Sequence, residues 1–562
     1  MTTDKPITNA PKLITVNWFL ILILLLSAIL RIYKLNTVPP HLTPDEAALG
    51  YNAYSILKTG KDEYGKFMPL VFKSFGDYKP GLYVYLTVPF VALIGLNEYS
   101  VRLASAMSGI ISVYLIYLIV TQLFKNKKLA LISALVSSLT PWLIYLSRGA
   151  WEVNVSLTLT LVGIYLFFRS FDNPKLLSLS GLSFALTLLT YQGAKLSTGI
   201  VIILLLLIYF KQIVKYPKKV LLLSAFLGII VSTPIVLSIF RGQTGRLNVF
   251  SVFNYPRPVD YLQNFLSEGN ENVGDTSYYV FHSELLNFSR GIMGRWFNHF
   301  SGRFLFFEGD WANPRHTAPN QGVLLLSDVF FVALGFGLLI RNQKDRGVAF
   351  ILLWLILSPL PAILSRDQVH AVRSLNMSVP LIMMTSIGVF NLYKFLDGLR
   401  FGKIFMLVIS SVWLGSFIYF LDAYFIHLPI HNSKLWEYGY KQVVEVVSPI
   451  QSNYKQIKIR QSFAQPYIYI LFYQKYDPAK YQRQANLVES PYGDVGHVDH
   501  LDNICFCAID WSIDRGERGT LFVSDPMRIP PEDSVDPRQF KVIKEIKYLD
   551  DREIAFRIIG VK

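Results

Sequence analysis

The sequence predicts a polytopic all-α membrane domain followed by a small α/β soluble domain, and three observations carry that prediction. The chain of 562 residues is 52% hydrophobic and only 17% charged, against roughly 25% charged in an ordinary soluble domain. Long apolar runs alternate with short basic clusters through most of the chain. From about residue 430 onward, apolar and polar residues mix as they do in soluble proteins. The expected division is therefore a membrane domain over 1–429 and a soluble domain over 430–562.

A spanning helix needs about 20 apolar residues, because each rises 1.5 Å through a hydrocarbon core of about 30 Å. Runs that meet this length, or nearly so, lie at 13–33, 101–124, 129–147, 153–169, 175–191, 196–210, 219–240, 323–340, 347–364, 374–393 and 404–425. That makes about eleven spans on this criterion. The first run follows Lys5 and Lys12, is too long for a signal-peptide core and lacks a small-residue cleavage site, so it is expected to remain as an anchor.

Residues 81–96 are apolar but short and contain Pro89. If they lie in the interface instead of spanning, the basic clusters at 125–128, 169–175, 211–219, 341–346 and 394–403 all fall on the cytoplasmic side, as topology rules require. The N-terminus is then cytoplasmic. The first loop, 34–100, the large loop, 241–322, and the C-terminal domain are then extracytoplasmic. Long loops on one side of a rigid scaffold are where chemistry is expected. In the C-terminal part, alternation at Lys455–Gln461 and Lys541–Tyr548 predicts strands, and the apolar segments Tyr467–Phe472 and Leu521–Val523 are read as strands too.

The net charge of +15 does not point to nucleic acid, since the basic residues sit between apolar runs, where anionic lipid headgroups and topology place them. Cys505 and Cys507 are the only cysteines. Their separation is short for a disulfide and no third thiol completes a metal site, so neither is given a role.

Candidate chemistry gathers on the outer side. Thr43, Pro44 and Glu46 fit a helix cap, an N1 proline and a capping-box acid. Asp45 is not needed by that box, and a carboxylate at the membrane lip suits a general base. Lys79, in Asp77-Tyr78-Lys79-Pro80, is either a snorkelling anchor or a point charge for a phosphate. Arg148, Trp151 and Glu152 form a short outer turn, and a carboxylate at that depth is costly enough to expect a task. Arg315, His316, His370 and Arg373 lie in two later outer segments and suit phosphate oxygens. His282 and His299 have no ligand spacing to mark a metal site.

At these residues the chain resembles the GT-C glycosyltransferases, in particular the bacterial group with a protein O-mannosyltransferase-like domain. That group includes the lipid A aminoarabinose transferases and the Rhizobium core galacturonosyltransferases. The likeness runs from about Leu30 to Phe425. It is carried by Pro44-Asp45-Glu46, Tyr78-Lys79-Pro80-Gly81-Leu82-Tyr83, Asn97 through Leu103, Glu308-Gly309-Asp310 through Arg315-His316, and His370-Ala371-Val372-Arg373.

The resemblance implies a GT-C fold and a sugar donor linked to polyprenyl phosphate, with a lipid, glycan or protein as acceptor on the outer face of the plasma membrane. It implies Asp45 as catalytic carboxylate, Glu152 as second acid and Lys79 near the donor phosphate. Glu46, Arg102, Arg148, Arg315, His316, His370 and Arg373 are grouped with the substrate contacts. Glu152 stands where many members carry Asp. Gly81 follows Pro80 where a second proline is common, and Tyr78 stands where some relatives place a metal-binding acid. A divalent metal is thus left open. The rival reading is a transporter or lipid flippase for envelope precursors. That class places charges near the bilayer midplane, often in paired repeats, whereas here they crowd the outer lip. A noncatalytic scaffold for the tail would give no reason for acids and cations to gather in separate outer loops.

Overall fold

The structure, a computed structural model, describes residues 17–242, 247–462, 464–490 and 495–562. Lys5, Lys12 and positions 13–16 of the expected first span lie outside the described residues. Among the described residues, six helices are long and apolar enough to cross a membrane. They are Glu98–Phe124, Glu152–Arg169, Lys218–Phe240, Arg346–Ile363, Leu375–Asp397 and Gly402–His431. A seventh is reached if Lys127–Leu139 and Pro141–Ser147, bent by 56°, count as one span. The bend follows from Pro141: Thr140 is driven out of the helical region (ψ 121°), because a proline disfavours α geometry in the residue before it.

Shorter apolar helices occupy Trp18–Ile32, Leu82–Ile94, Leu176–Leu188 and Ala194–Ile208. The predicted count of about eleven is therefore not met by length alone. The run at 81–96 is a helix of 13 residues with Pro89 inside it. Helices Asp328–Arg341 and Ser378–Asp397 cross at two glycines. A Cβ on Gly335 would come within 1.9 Å of the Met384 carbonyl oxygen, and one on Gly388 within 2.1 Å of that of Phe331. Such small-residue contact suits helices without a hydrophobic drive to associate in lipid.

The C-terminal part carries a six-stranded sheet in the order 500–501, 504–507, 456–460, 520–524, 554–561, 540–547. The strand Gln456–Arg460 runs parallel to both neighbours, and the remaining pairs are antiparallel. Three of the expected strands are present here. The fourth, Tyr467–Phe472, is a helix, Pro466–Tyr473, buried over nearly its whole length. A short apolar run does not distinguish a buried helix from a strand, and Pro466 at its first turn favours the helix. Cys505 and Cys507 form a disulfide, correcting the expectation that they stay apart.

The C-terminal part packs against the first loop. Leu42, Ala47, Leu49 and Tyr51 of the first loop share one apolar core with Val443, Tyr467, Ile470 and Ile504. The Tyr51 hydroxyl donates to the Tyr476 carbonyl at 3.1 Å and that of Tyr469 to the Leu42 carbonyl at 3.1 Å. The helix Leu428–His431 runs across the expected boundary at 429/430.

Candidate active site

The helix Pro44–Thr59 starts as its sequence dictates. The Thr43 hydroxyl accepts from the Glu46 amide, and the Glu46 carboxylate accepts from the Thr43 amide at 2.9 Å. Glu46 does more than cap. Its carboxylate also takes the Arg102 guanidinium (Nε to Oε1, 2.9 Å) and the Ala150 amide at 2.8 Å. Arg102 spends its remaining donors on the carbonyls of Leu35, Pro39 and His41 and on Glu46 Oε2. Arg148 likewise gives its donors to the carbonyls of Leu30, Tyr33 and Val38 and to the Tyr424 hydroxyl. Glu46, Arg102 and Arg148 are buried. The resemblance groups them with the substrate contacts; in the structure they bond inside the protein and hold the first loop, the helix Glu98–Phe124 and the turn before Glu152 together.

Asp45, one residue earlier, points the other way. Its carboxylate is exposed and forms an ion pair with the Lys79 ammonium. Lys79 reaches it from a hairpin in which Val71–Ser74 pairs with Asp77–Pro80. The two-residue turn, Phe75-Gly76, has φ of 54° and 82°, the geometry that hairpins favour and that glycine adopts without strain. Burial works against the Lys79 charge, but the carboxylates of Asp45, Glu152 and Asp77 outweigh it and hold the ammonium above its ordinary pKa. Glu152 opens the helix Glu152–Arg169, where the positive end of the helix dipole favours a carboxylate. Asp45, Lys79 and Glu152 are thus brought into one electrostatic neighbourhood.

A second cluster lies alongside. The His316 ring packs edge-on to Trp151 at 5.3 Å between centroids and tilts over His370 at 4.9 Å. His316 Nδ1 bonds the Asp310 carboxylate at 2.9 Å, and that carboxylate accepts from the Ala371 amide at 2.7 Å. Arg373 pairs with Asp367 at 3.0 Å and lies over the Phe250 ring. The Tyr145 hydroxyl donates to the Arg315 carbonyl. Burial, with Arg373, His316, His299 and Arg315 around it, keeps the His370 imidazole well below its ordinary pKa. His299 belongs to this cluster, while His282 pairs elsewhere with Glu271 at 3.4 Å.

Sequence reasoning placed Asp310 in a stretch that carries the resemblance but gave it no role, and it gave none to Tyr191, Gln192 or Lys195. Lys195 lies on the wall of an apolar cavity of about 460 Å³ among the helices, with Phe167, Phe184, Ile202 and Leu221. Its ammonium donates to the Gln192 side chain at 2.8 Å, and Gln192 donates to the Tyr78 carbonyl at 2.6 Å. Lys195 thus connects the cavity wall through Gln192 to Tyr78, the residue beside Lys79. The only sequence signal for this link is the polar cluster in a short connection, which topology alone also explains.

The fold is that of the GT-C membrane glycosyltransferases, as the sequence led us to expect. The crystal structure of ArnT from Cupriavidus metallidurans bound to undecaprenyl phosphate superposes with a TM-score of 0.55 at 10% identity, covering 96% of this chain and 98% of that one. The same protein in its apo state gives 0.53 at 11% identity, covering 96% and 97%. The family model for dolichyl-phosphate-mannose-protein mannosyltransferases matches residues 78–237, from the hairpin strand that carries Lys79 into the helix Lys218–Phe240. No curated protein matches the chain.

Proposed function

We propose that this protein transfers a sugar from a polyprenyl-phosphate carrier to a lipid, glycan or protein acceptor on the outer face of the plasma membrane. The observation that carries the reading is the Asp45–Lys79 pair beside Glu152; an apolar cavity suited to an isoprenoid tail, with Lys195 on its wall, is linked to the neighbouring Tyr78 through Gln192. ArnT, whose fold this chain shares, has been crystallised with undecaprenyl phosphate, which supports a carrier of that kind. The threading is about eleven spans with the N-terminus cytoplasmic, the helix Leu82–Ile94 in the interface and the C-terminal domain extracytoplasmic.

In this mechanism the donor phosphate takes Lys79 as its counter-ion, with Arg315, His316, His370 and Arg373 along its other side. The exposed Asp45 carboxylate accepts the proton of the acceptor hydroxyl as Lys79 turns to the phosphate. The acceptor oxygen forms a bond to the anomeric carbon as the bond from that carbon to the phosphate oxygen breaks, with inversion. The electron pair leaves on the phosphate, whose added charge the cations stabilise. Glu152 lies within the same field and orients Lys79.

Purified protein incubated with a polyprenyl-phosphate sugar and crude acceptor tests this. Cleavage of the sugar–phosphate bond is expected, and an intact bond would favour a transporter. Asp45→Asn should lose transfer by at least about a hundredfold while still inserting and binding the carrier. Near-normal turnover in that variant removes Asp45 from the mechanism.

A further inference from the structure

We propose that Asp310, His316 and His370 form a binding site for one divalent transition metal of the zinc class. The three side chains are buried, and one ligand atom from each lies within 4.8 Å of the other two. They come from separate stretches: Asp310 from the loop after Phe307, His316 from the turn Pro314–His316, and His370 from the segment before the helix Ser378–Asp397. Three donors on metal bonds of about 2.0–2.2 Å stand roughly 3.4 Å from each other. The Asp310–His316 pair already stands at 2.9 Å, and the His370 ligand atom lies within 4.8 Å of both.

Two further observations mark this as more than a chance polar cluster. His299 sits directly behind: its Nδ1 donates to the Arg295 carbonyl at 2.8 Å, leaving Nε2 to accept the His370 backbone amide at 3.2 Å. Asp310 is oriented by the Ala371 amide on one oxygen and the Asn313 amide, at 3.0 Å, on the other. Outer partners of this kind fix the orientation of ligating rings and carboxylates. Two imidazoles and one carboxylate select zinc, cobalt, nickel or iron over magnesium or calcium, which favour oxygen alone. Three protein ligands leave a fourth position for an oxygen of a bound molecule. Resting on the transferase reading above, that oxygen belongs to the donor phosphate, for which Arg315 and Arg373 are near neighbours of His370.

The test uses the full chain purified in detergent, stripped with a chelator and titrated with Zn²⁺ and, separately, Co²⁺. One equivalent bound per chain by elemental analysis is expected, with a visible cobalt absorption band. His316→Ala and His370→Ala should each weaken binding at least tenfold, whereas His282→Ala, in the distant pair with Glu271, should leave it unchanged. Wild-type protein should also melt at higher temperature when loaded, a readout that stands even if a variant fails to fold. No stoichiometric binding by wild type, or equal affinity in both folded histidine variants, overturns the site and leaves Asp310 and His316 as a structural hydrogen-bonded pair. Transfer without metal binding overturns this inference alone. Metal binding without sugar–phosphate cleavage keeps the site and overturns the transferase reading.

Discussion

Asp45 and Glu46 are adjacent carboxylates at the start of one helix, yet they belong to two different regions of the molecule. Glu46 is 2% exposed and meets a buried arginine and two backbone amides. Asp45 is exposed and meets a lysine from a hairpin tip region. The same chemical group thus serves as a rivet in one region and as an available base in the other. A buried ion pair is held rigid by its own desolvation cost: its charges attract strongly, and losing one partner leaves the other stranded. Asp45 is exposed but Lys79 is only 18% exposed, so their pair lies between that case and a surface pair that exchanges partners at little cost. Beside Asp45, the structural load is carried by Glu46 and Arg102.

The most severe break of this contrast is Arg102→Met, which strands the Glu46 carboxylate. A loss of about 3–5 kcal/mol in stability is expected for a buried pair cut on one side, read by thermal melting in detergent. The same variant combined with Glu46→Gln should recover part of that loss, because the stranded charge is gone. If Arg102→Met melts within about 1 kcal/mol of wild type, Glu46 and Arg102 are not the rivet described.

How much of this was legible in the sequence divides along the same line. The apolar runs announced the helices, because period and length suffice to place apolar segments. The capping box at Thr43–Glu46 was readable and is present. What could not be read was which of two neighbouring acids faces solvent, since that depends on Arg102 and Ala150, more than fifty residues away. For the same reason Arg102 and Arg148 were grouped with the substrate contacts: a lone arginine carries no mark of the carbonyls that will surround it. Tyr467–Phe472 misled because a short apolar segment buried on all sides has no period to show. His316 and His370 were legible as residues but not as a pair, because 54 positions separate them and only the fold brings their rings to 4.9 Å. The shared core of the first loop and the C-terminal domain lay beyond sequence reasoning entirely.

A third carboxylate sharpens the comparison, since it is buried with no cation paired to it. Glu63 is fully buried, accepts one bond from the Asn52 amide at 3.1 Å and has its other oxygen unpartnered among the described residues. Burial, opposed by the Asn52 bond, raises its pKa from 4.5 to about 8. The folded protein therefore keeps a proton that the unfolded chain has lost, between pH 4.5 and about 8. Stability from this group is complete below that window and falls as pH rises through it. Relative to wild type, Glu63→Gln should flatten the pH dependence by an amount on the order of a few kcal/mol across the window. Parallel melting curves at pH 5 and pH 8 for both proteins would show that Glu63 ionises as freely as a surface acid.

The smallest stability effect should come from the pair that matters most to the proposed chemistry. Lys79→Met removes an ion pair whose carboxylate is exposed, so stability should change by no more than about 1 kcal/mol, against several for Arg102→Met. Affinity for the polyprenyl-phosphate carrier should nevertheless fall roughly tenfold or more, as for loss of a charge-assisted bond worth about 1.5–3 kcal/mol, with the larger loss at high donor dilution. Melting and carrier binding measured on one preparation separate the two roles. A variant that melts early and binds carrier normally would make Lys79 a structural partner of Asp45. It would also remove the reason for treating the Asp45–Lys79 pair and the buried Glu46–Arg102 hub as different kinds of region.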